Sequence, residues 1–424
     1  MKKKLLSLCL ALLMLASLCA SFSACASRGT TLMKAGGEKI SVNVFQLYLA
    51  RMKGSLGSAG YKVNTEDFWN TYVSTDNTTN AQFYTRKVYE GLRQIAAALV
   101  LYDELSLSLS ESAKDEVDAW IDKLIKEAGS KSQLNSILSA YGANITALRD
   151  AALIEAKIAQ LKTHLYGADG SLISATAKEE FYKANYCRGY QMQLANYYYD
   201  REKDKDGVTV FYTDTNFNHI AYKKEGEGIQ AGEPDKFGDT TYLTADGKIS
   251  YDIENGKVNY YYDDKGNHKT VKYTDAEMAA RLEKAQEIAN RCVNKPDLFL
   301  ELAGELSDNA DFNEKYAPNG MYFTLGSASD ETVFATFSEE LFKMEIGELT
   351  VLSSDSGYYI LMRAELDDGA WNDSANSTWF STLTGLTMEY MFKLRTDAYL
   401  SRVEIDEKVL SGISIVDVEP DYYY

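Results

Sequence analysis

The chain has few of the residues from which metal sites and nucleophilic active sites are usually built. Its 424 residues include only three histidines, His164, His219 and His268, and five cysteines. The histidines lie far apart, and no cysteine and histidine cluster has the spacing of metal ligands. No Gly-x-Ser-x-Gly turn accompanies a histidine, which argues against a Ser-His-Asp hydrolase. We therefore expect no metal, no cofactor and no zinc chemistry.

Excess positive charge is also lacking. The formal net charge is −18. Residues 1 to 24 carry Lys2, Lys3 and Lys4 and no acid, so their removal would leave a chain of net charge −21. A surface of this sign repels nucleic acid and anionic lipid headgroups. We therefore expect no nucleic-acid partner.

The sequence has no apolar run long enough for a membrane-spanning helix at its N-terminus. Three lysines, an apolar run from Leu5 to Leu18 and small residues before Cys25 are the layout of an export signal. Phe22-Ser23-Ala24-Cys25 resembles the bacterial lipobox, whose cysteine is diacylated and becomes the first residue after cleavage. Residues 1 to 24 are thus predicted to be a lipoprotein signal peptide. A membrane contact through lipid on Cys25 and an extracytoplasmic location follow from it, and a plain secretory signal is the alternative.

Only two cysteines remain for the folded part of that chain. Cys9 and Cys19 would leave with the signal and Cys25 would carry lipid, which leaves Cys187 and Cys292. Their spacing does not indicate a disulfide, so we expect two buried thiols.

Residues 25 to 186 predict a helical arm. LMKAGGEKISV indicates a strand, a turn at Gly36-Gly37, a second strand and then a helix capped by Ser41. Apolar residues then recur at steps of three and four over several segments, as on the buried faces of helices. The signals for the later helix ends are Ser112, Gly129, Asn144 and a capping box of Thr176 with Glu179.

From Cys187 the pattern changes to short alternating runs separated by Asp-Gly and Asn-Gly turns, as in hairpins. VFYTDTNFNHIAYKKEGEG and TYLTADGKISYDIENGK resemble each other, and aligning Tyr212 with Tyr242 sets His219 against Lys248. A position that holds lysine in the other copy suits an exposed hairpin side chain. We therefore expect His219 not to be catalytic, and we treat residues 200 to 272 as a Tyr-rich insertion.

The segments on either side of that insertion resemble the parvulin family of prolyl isomerases. CRGYQMQLANYYY has Arg188 and Gln191 at the family's Arg-x-x-His spacing, with Gln in place of His. The later matches, in the family's order, are DLFLELAGELSD, Asn319-Gly320-Met321-Tyr322, FSEELFKMEIGE and SSDSGYYILMRAEL. The match covers roughly residues 187 to 366, and the helical arm with its lipobox resembles the PrsA and SurA foldases.

This resemblance implies an α+β fold in which a parvulin-like domain, residues 187 to 366, is inserted into a helical chaperone domain. That second domain would be formed by the arm, residues 25 to 186, and by residues 367 to 424. In the latter, Phe380, Leu383, Leu386, Tyr390 and Leu394 share one helix side. No linker rich in proline or serine separates the end of the chain, which has four prolines in all.

The resemblance also assigns candidate site residues. Met321, Val333 and Phe337 fall on the positions that bind the proline ring. Gln191, Asn309, Tyr359 and Ser356 stand around the amide, where the family usually has two histidines and a cysteine or aspartate. These side chains can form hydrogen bonds, but none reproduces an imidazole pair.

Three functions remain open from the sequence. The first is a lipid-anchored foldase that binds unfolded exported polypeptides and has weak or lost isomerase activity. The second is an active isomerase of X-Pro bonds in secreted proteins. The third is a solute-binding or adhesion protein that uses the Tyr-rich hairpins as its contact face.

Overall fold

A computed structural model describes residues 29–73, 77–200, 210–212, 219–221, 226–234, 240–247, 250, 257–258, 264–325 and 333–420. For 210–212, 219–221 and 257–258 it describes the backbone alone. The predicted signal peptide and Cys25 lie outside these residues. The chain forms two compact units, one of residues 1–174 with 384–424 and one of residues 175–383.

The first unit contains a small antiparallel sheet made from both ends of the chain. Its strands are β1 (Thr31–Ala35), β2 (Glu38–Ser41) and β14 (Val403–Ile405), in the order β14-β1-β2. The turn between β1 and β2 places Gly36 at φ +61°, a conformation that glycine adopts without strain. Met33 is the register partner of Ile405, so the last strand completes a sheet that the first strand begins.

Among the described residues of this unit, six α-helices precede residue 174 and two more follow residue 382. The early ones are α1 (Val42–Ser58), α2 (Glu66–Asn70), α3 (Asn80–Glu104), α4 (Glu111–Ala128), α5 (Lys131–Ser139) and α6 (Ile145–Tyr166). The late ones are α12 (Leu383–Asp397), whose first residue belongs to the second unit, and α13 (Glu407–Leu410). Leu92, Leu99 and Ile154 are buried residues of one shared core, which confirms the predicted stripes of α3 and α6.

Most predicted helix ends are confirmed. The Ser41 Oγ accepts from the Val44 N–H, Asn144 caps α6 in the same way, and Gly129 is left-handed at the end of α4. Two starts are corrected. The cap of α4 is Ser110 rather than Ser112, because the helix begins at Glu111.

The other corrected start concerns α7, which spans Ala175–Asn185 and belongs to the second unit. Thr176 therefore lies within the first turn and cannot be the N-cap, since a cap residue precedes the helical residues. The buried Tyr182 of this helix contacts the rings of Tyr322 and Phe380. These contacts hold α7 against the rest of its unit.

The C-terminal helix α12 buries a different side from the predicted one. Tyr390 and Leu394 are exposed, whereas Thr387 and Thr396 are fully buried. The Thr396 hydroxyl donates to the Phe392 carbonyl oxygen at 2.9 Å within the helix. A hydroxyl that is hydrogen-bonded in this way can be buried at little cost in free energy. The apolar stripe therefore predicted the wrong buried side for the last two turns of α12.

The second unit is built on a four-stranded antiparallel sheet of order β11-β3-β13-β12. Its strands are β3 (Tyr186–Ala195), β11 (Met321–Thr324), β12 (Leu349–Ser354) and β13 (Gly357–Ala364). The helices are α7, already described, and α8 (Asp275–Cys292), α9 (Pro296–Leu306), α10 (Ala310–Tyr316) and α11 (Val333–Lys343). The predicted capping box of α8 is present between Thr274 and Glu277.

The segment between β3 and α8 forms small separate sheets, which confirms the change to strands. These strands are β4 (Tyr197–Tyr199), β5 (Val210–Tyr212), β6 (His219–Ala221), β7 (Gln230–Pro234), β8 (Thr240–Leu243), β9 (Lys257–Val258) and β10 (Thr270–Lys272). The first aligned run forms the β5 and β6 hairpin, in which Tyr212 is the partner of His219. In the second run β8 pairs with the preceding β7. Lys248 lies outside the described residues.

Two further sequence predictions concern single features. Cys187 and Cys292 are buried free thiols, as predicted. Among the described helices, none combines the length and the apolar character that a membrane span requires.

Candidate functional site

The candidate site lies on the face of the four-stranded sheet that is covered by α11. On β3 and β13, Gln193 is the register partner of Tyr359 and Gln191 is the partner of Leu361. Opposed residues share a face, and residues two apart on a strand do so as well. Gln191, Gln193 and Tyr359 therefore point to the same side.

The three residues predicted to bind a proline ring belong to one apolar cluster. Met321 and Phe337 are members of the core that includes Tyr359, and the half-buried Val333 packs against it. The Phe337 and Tyr359 rings meet edge to face, with centroids 4.9 Å apart. Phe337 is only 1% exposed and Met321 is fully buried. Met321, Val333, Phe337 and Tyr359, called the apolar floor below, are thus packed together. The side chains of Met321 and Phe337 are themselves buried in this packing.

A chain of hydroxyl groups borders this floor. The Ser356 Oγ lies 3.2 Å from the Tyr359 Oη and 3.1 Å from the Ser354 Oγ. The Gln193 Nε2 donates to the Ser356 Oγ at 3.4 Å. Hydroxyls both donate and accept, and an amide offers one group of each kind. The cluster can therefore hydrogen-bond a peptide group in either sense without gaining or losing a proton.

Gln191 is placed elsewhere on the same face. Its Nε2 donates to the Asn313 Oδ1 at 2.8 Å, and the Asn313 Nδ2 donates to the Gln191 main-chain oxygen at 2.9 Å. Gln193, rather than Gln191, contacts Ser356. The sequence motif indicated Gln191 and not Gln193, because both side chains lie on the same face of β3. The alternation of side chains between the two faces of a strand does not distinguish residues that are two apart. Only the register of β3 against β13 distinguishes the two.

Asn309 lies at the start of α10, where it makes no side-chain cap. Its neighbours Ser307 and Asp308 close the edge of β3. The Ser307 Oγ accepts from the Gln193 N–H at 3.1 Å, and the Asp308 N–H donates to the Gln193 carbonyl at 2.9 Å. The Asp308 carboxylate also accepts from the Ala195 N–H at 2.9 Å. This segment therefore fixes the backbone of the residue that contacts Ser356.

Arg188, which set the motif spacing, has a structural role. Its guanidinium donates to the carbonyls of Asn319 and Glu365 at 2.7 and 3.2 Å. It also bonds the Asp367 carboxylate and the Tyr190 hydroxyl. Burial raises the pKa of the Tyr190 phenol, and the Arg188 charge opposes that rise. The arginine thus ties the turn before β11 to the end of β13.

His219 is not part of this arrangement of strands. It lies on β6, which pairs with β5 in a sheet separate from the one that carries Tyr359. Its side chain is outside what the structure describes. Within the described residues, no group of three or more His, Cys, Asp or Glu is placed to hold a metal ion.

No protein-family model matches the chain, and no curated protein matches it by sequence. Solved structures of PrsA do match. One is the peptidylprolyl isomerase PrsA from Bacillus anthracis, at 14% identity and a TM-score of 0.23, covering 74% of this chain and 96% of that one.

Two further matches have the same character. PrsA from Bacillus cereus matches at 13% identity and a TM-score of 0.24, covering 91% of this chain and 96% of that one. The foldase PrsA from Streptococcus pneumoniae matches at 13% identity and a TM-score of 0.20, covering 78% and 91%. These are the proteins that the sequence motifs also resemble.

Proposed function

We propose that this protein is a lipid-anchored extracytoplasmic foldase that binds exported unfolded polypeptides, and that its parvulin-like unit has weak or no isomerase activity. The lipobox-like Phe22-Ser23-Ala24-Cys25 supports the anchor and the location. The ordered motifs from Arg188 to Tyr359 support the parvulin resemblance. The geometry of the α11 face supports the reduced activity.

The burial of Phe337 supports weak or absent isomerase activity. Prolyl isomerisation must lower a rotation barrier of about 18 to 20 kcal/mol by accommodating a twisted amide. The proline ring needs an apolar pocket that is open to it. Here Phe337 is 1% exposed and packs on Tyr359, so a substrate ring would first have to displace this contact.

The polar groups beside the apolar floor also support weak or absent isomerase activity. Gln193, Ser356 and Tyr359 occupy the place beside the floor, and each is a neutral hydrogen-bonding group. They can orient a peptide group, but they provide no imidazole pair to shape the electrostatic surround of the twisted amide. Binding of a chain without efficient isomerisation follows from this combination.

Exposed apolar side chains on the second unit support polypeptide binding. Large apolar side chains that are exposed in the described part of this unit include Val293, Leu300, Leu306, Tyr316, Leu325 and Ile346. Exposed apolar groups of this kind offer contacts to an unfolded chain. Tyrosine adds contact area and a hydrogen-bonding group at a low entropy cost.

The experiment for the activity is cis/trans exchange by NMR on a short X-Pro peptide, with the chain starting after Cys25. We expect exchange close to the uncatalysed rate, together with suppression of client aggregation. Gln193→His with Tyr359→His rebuilds an opposed pair, and Gln191→His with Tyr359→His is the matched control. Exchange far above the uncatalysed rate in the unmodified chain would establish the active isomerase instead.

The anchor is tested separately with the full chain in a bacterial host. We expect the wild type to fractionate with membranes and its mature N-terminal peptide to carry acyl mass on Cys25. Cys25→Ser should shift the protein to the soluble extracytoplasmic fraction or medium. An unmodified N-terminal peptide in the wild type would contradict the lipid anchor without affecting the argument on the α11 face.

A further inference from the structure

The strand β12 is an open edge of the four-stranded sheet in the second unit. It pairs with β13 on one side, and no described strand pairs with it on the other. Its register with β13 runs from Leu349 to Ser354 without a bulge, and its sequence LTVLSS contains no charged residue and no proline. Proteins commonly use bulges, charges or proline to keep an edge strand from pairing with another chain, and β12 has none of the three.

Alternate residues of β12 direct their main-chain groups away from β13. The Arg363 N–H donates to the Glu348 carbonyl oxygen at 3.0 Å, so this opposed pair is hydrogen-bonded. Hydrogen-bonded and non-hydrogen-bonded pairs alternate along an antiparallel ladder, so Leu349, Val351 and Ser353 belong to the non-hydrogen-bonded pairs. No turn, loop or side chain in the described part of the chain bonds the main-chain groups of these three residues. Three N–H and three C=O groups thus line the edge.

The side chains beside this edge are apolar on both faces of the sheet. Leu349 and Val351 pack against the cluster under α8, which includes Ile288. Leu352 packs against the cluster of Phe337 on the α11 face. All three side chains are only half-buried, and no further described strand covers them. A strand added here would have apolar neighbours on both faces, with opposed Cβ atoms about 4.5 to 5.5 Å apart.

The charges at the two ends of β12 argue against a second copy of the chain as the partner. Glu348 precedes the strand, Asp355 follows it, and both are exposed and outside any salt bridge of the described residues. Antiparallel pairing of two copies about Val351 would place Glu348 opposite Ser354 of the other copy, next to its Asp355. Such approach of like charges is unfavourable, and each copy has a net charge of −18. A polypeptide without acids beside its apolar residues avoids this repulsion.

We propose that the open edge of β12 binds an extended segment of the client polypeptide as an added antiparallel strand. The main-chain groups of Leu349, Val351 and Ser353 bond this strand, as in other cases of strand addition. The segment that fits is apolar on both faces and is not flanked by acids. Leu352 is the register partner of Tyr359, so the added strand runs beside the candidate site. The role in client binding rests on the proposed function, whereas the open edge does not.

Amide hydrogen exchange tests the edge in the whole chain without its predicted signal peptide. In the free protein, the amides of Leu349, Val351 and Ser353 should exchange fast and those of Thr350 and Leu352 slowly. The probe is the peptide acetyl-Lys-Thr-Val-Ile-Val-Thr-Lys-amide. We expect the three fast amides to slow by about tenfold when about nine-tenths of the protein is bound. Slow exchange of these amides in the free protein, no binding of the peptide, or binding that leaves their exchange unchanged would each overturn the proposal.

Two altered peptides separate the main-chain bonds from the charge. N-methylation of the three central residues removes the donors on both edges of the peptide strand and keeps its side chains, so binding should weaken by about tenfold or more. Equal affinity of this peptide would show that side chains alone dock and would exclude strand addition. Replacing both lysines by glutamates should also weaken binding, and added salt should reduce the difference. Equal affinity of the lysine and glutamate peptides would contradict the charge selection.

Ser353→Pro tests the edge from the side of the protein. Ser353 is exposed, and proline is tolerated on an edge strand where the N–H is outside the ladder. The variant removes one donor, and we expect about tenfold weaker binding of the lysine peptide. Ser353→Ala keeps the N–H and is the matched control, expected to bind as the wild type does. Equal affinity of the two variants would contradict the proposal. The exchange pattern of the wild type decides the edge even where Ser353→Pro does not fold.

Suppression of client aggregation by Ser353→Pro tests the role in client binding. It should weaken together with peptide affinity. Full suppression by a variant that no longer binds the peptide would overturn this role and leave the proposed function intact. Absence of suppression by the wild type would contradict the proposed function, and the peptide experiments would still decide the edge. Protection of the Val351 amide that rises with protein concentration in the absence of peptide would identify a second copy as the partner and overturn the assignment to a client.

Discussion

The main-chain N–H of Asp200 donates a 2.7 Å hydrogen bond to the carbonyl oxygen of Lys269. Next to this bond, Tyr199 on β4 is the register partner of Thr270 on β10. The two ends of the Tyr-rich insertion therefore meet at one point. The rest of the second unit does not need the inserted residues to bring β3 and α8 together.

The insertion should be removable at this point. Replacing residues 201–268 by Asn-Gly would join Asp200 to Lys269 through a two-residue hairpin turn of a favoured type. We expect the shortened chain to keep its thermal unfolding profile and its suppression of client aggregation. Retained chaperoning would exclude the insertion as the contact face for clients, whereas its loss in a folded variant would place client binding on the insertion.

Phe337→Ala should destabilise the second unit. Because Phe337 is buried against Tyr359 and Phe334, its truncation leaves a cavity and is expected to cost about 3 to 5 kcal/mol of unfolding free energy. Urea unfolding followed by the signal of this unit measures it. Ile346→Ala, at a side chain 60% exposed, is the control and should change little. A stable Phe337→Ala protein would mean that Phe337 lines an open pocket.

Lys53 should matter more than an ordinary surface lysine. It is buried, its Nζ donates to the carbonyls of Val416 and Val418 at 3.1 and 2.6 Å, and burial lowers its pKa. Lys53→Met leaves both acceptors without a donor, so we expect a loss of about 1 to 3 kcal/mol. Lys34→Met removes an exposed pair with Glu404 and is the control, expected to cost under about 1 kcal/mol.

Thermal unfolding of the first unit measures both lysine variants. Equal losses would show that the buried contact with the end of the chain adds nothing to the stability of this unit. A larger loss in Lys53→Met than in Lys34→Met is the expected order.

The second unit should lose stability in alkali. The Tyr182 hydroxyl donates to the Asp367 main-chain carbonyl at 3.0 Å, and the Tyr322 hydroxyl donates to the Asp367 carboxylate at 3.2 Å. Burial raises the pKa of both phenols. The pKa of each phenol is higher in the folded protein than its value of about 10 in the unfolded chain, so the protonated phenol favours the folded state. This contribution to the unfolding free energy is fully present below about pH 10. This stability is lost as the pH rises from there towards the folded-state pKa.

Tyr182→Phe tests this dependence. The variant removes one ionisation, so its unfolding free energy should fall less steeply above pH 10, although it is lower at neutral pH by about 0.5 to 1.5 kcal/mol. Denaturant unfolding at several pH values measures the slope. Tyr316→Phe, at an exposed residue, is the control. Parallel curves for Tyr182→Phe and the wild type would contradict the role of this phenol.

Local features were predictable from the sequence because they depend on neighbouring residues. The caps at Ser41 and Thr274 and the left-handed Gly129 follow from the chemistry of a helix end. Ser112 was a wrong cap because Ser110, two residues earlier, accepts from the Ala113 N–H and the helix already begins at Glu111. The choice between two competent caps depends on where packing starts the helix, and the local pattern does not contain that information.

The candidate site was predictable only in its composition. The motifs brought Met321, Phe337 and Tyr359 into one expected neighbourhood, and the structure places them in one cluster. Gln191 and Gln193 could not be distinguished, since the register of β3 with β13 joins residues far apart in the chain. The burial of Phe337 was likewise not predictable, because it results from the packing of α11 on the sheet, which brings the Tyr359 ring of β13 against Phe337.

The pairing of β1 with β14 has a consequence for the order in which the two units fold during synthesis. Residues 175–383 are continuous in sequence, so this unit can fold as soon as they have been synthesised. The first unit cannot complete its sheet until Ile405 arrives to meet Met33. Contacts over such a sequence separation form slowly, because the intervening chain must be ordered first. Until then the edge of β1 that faces away from β2 is unpaired and is open to pairing with a strand of another chain.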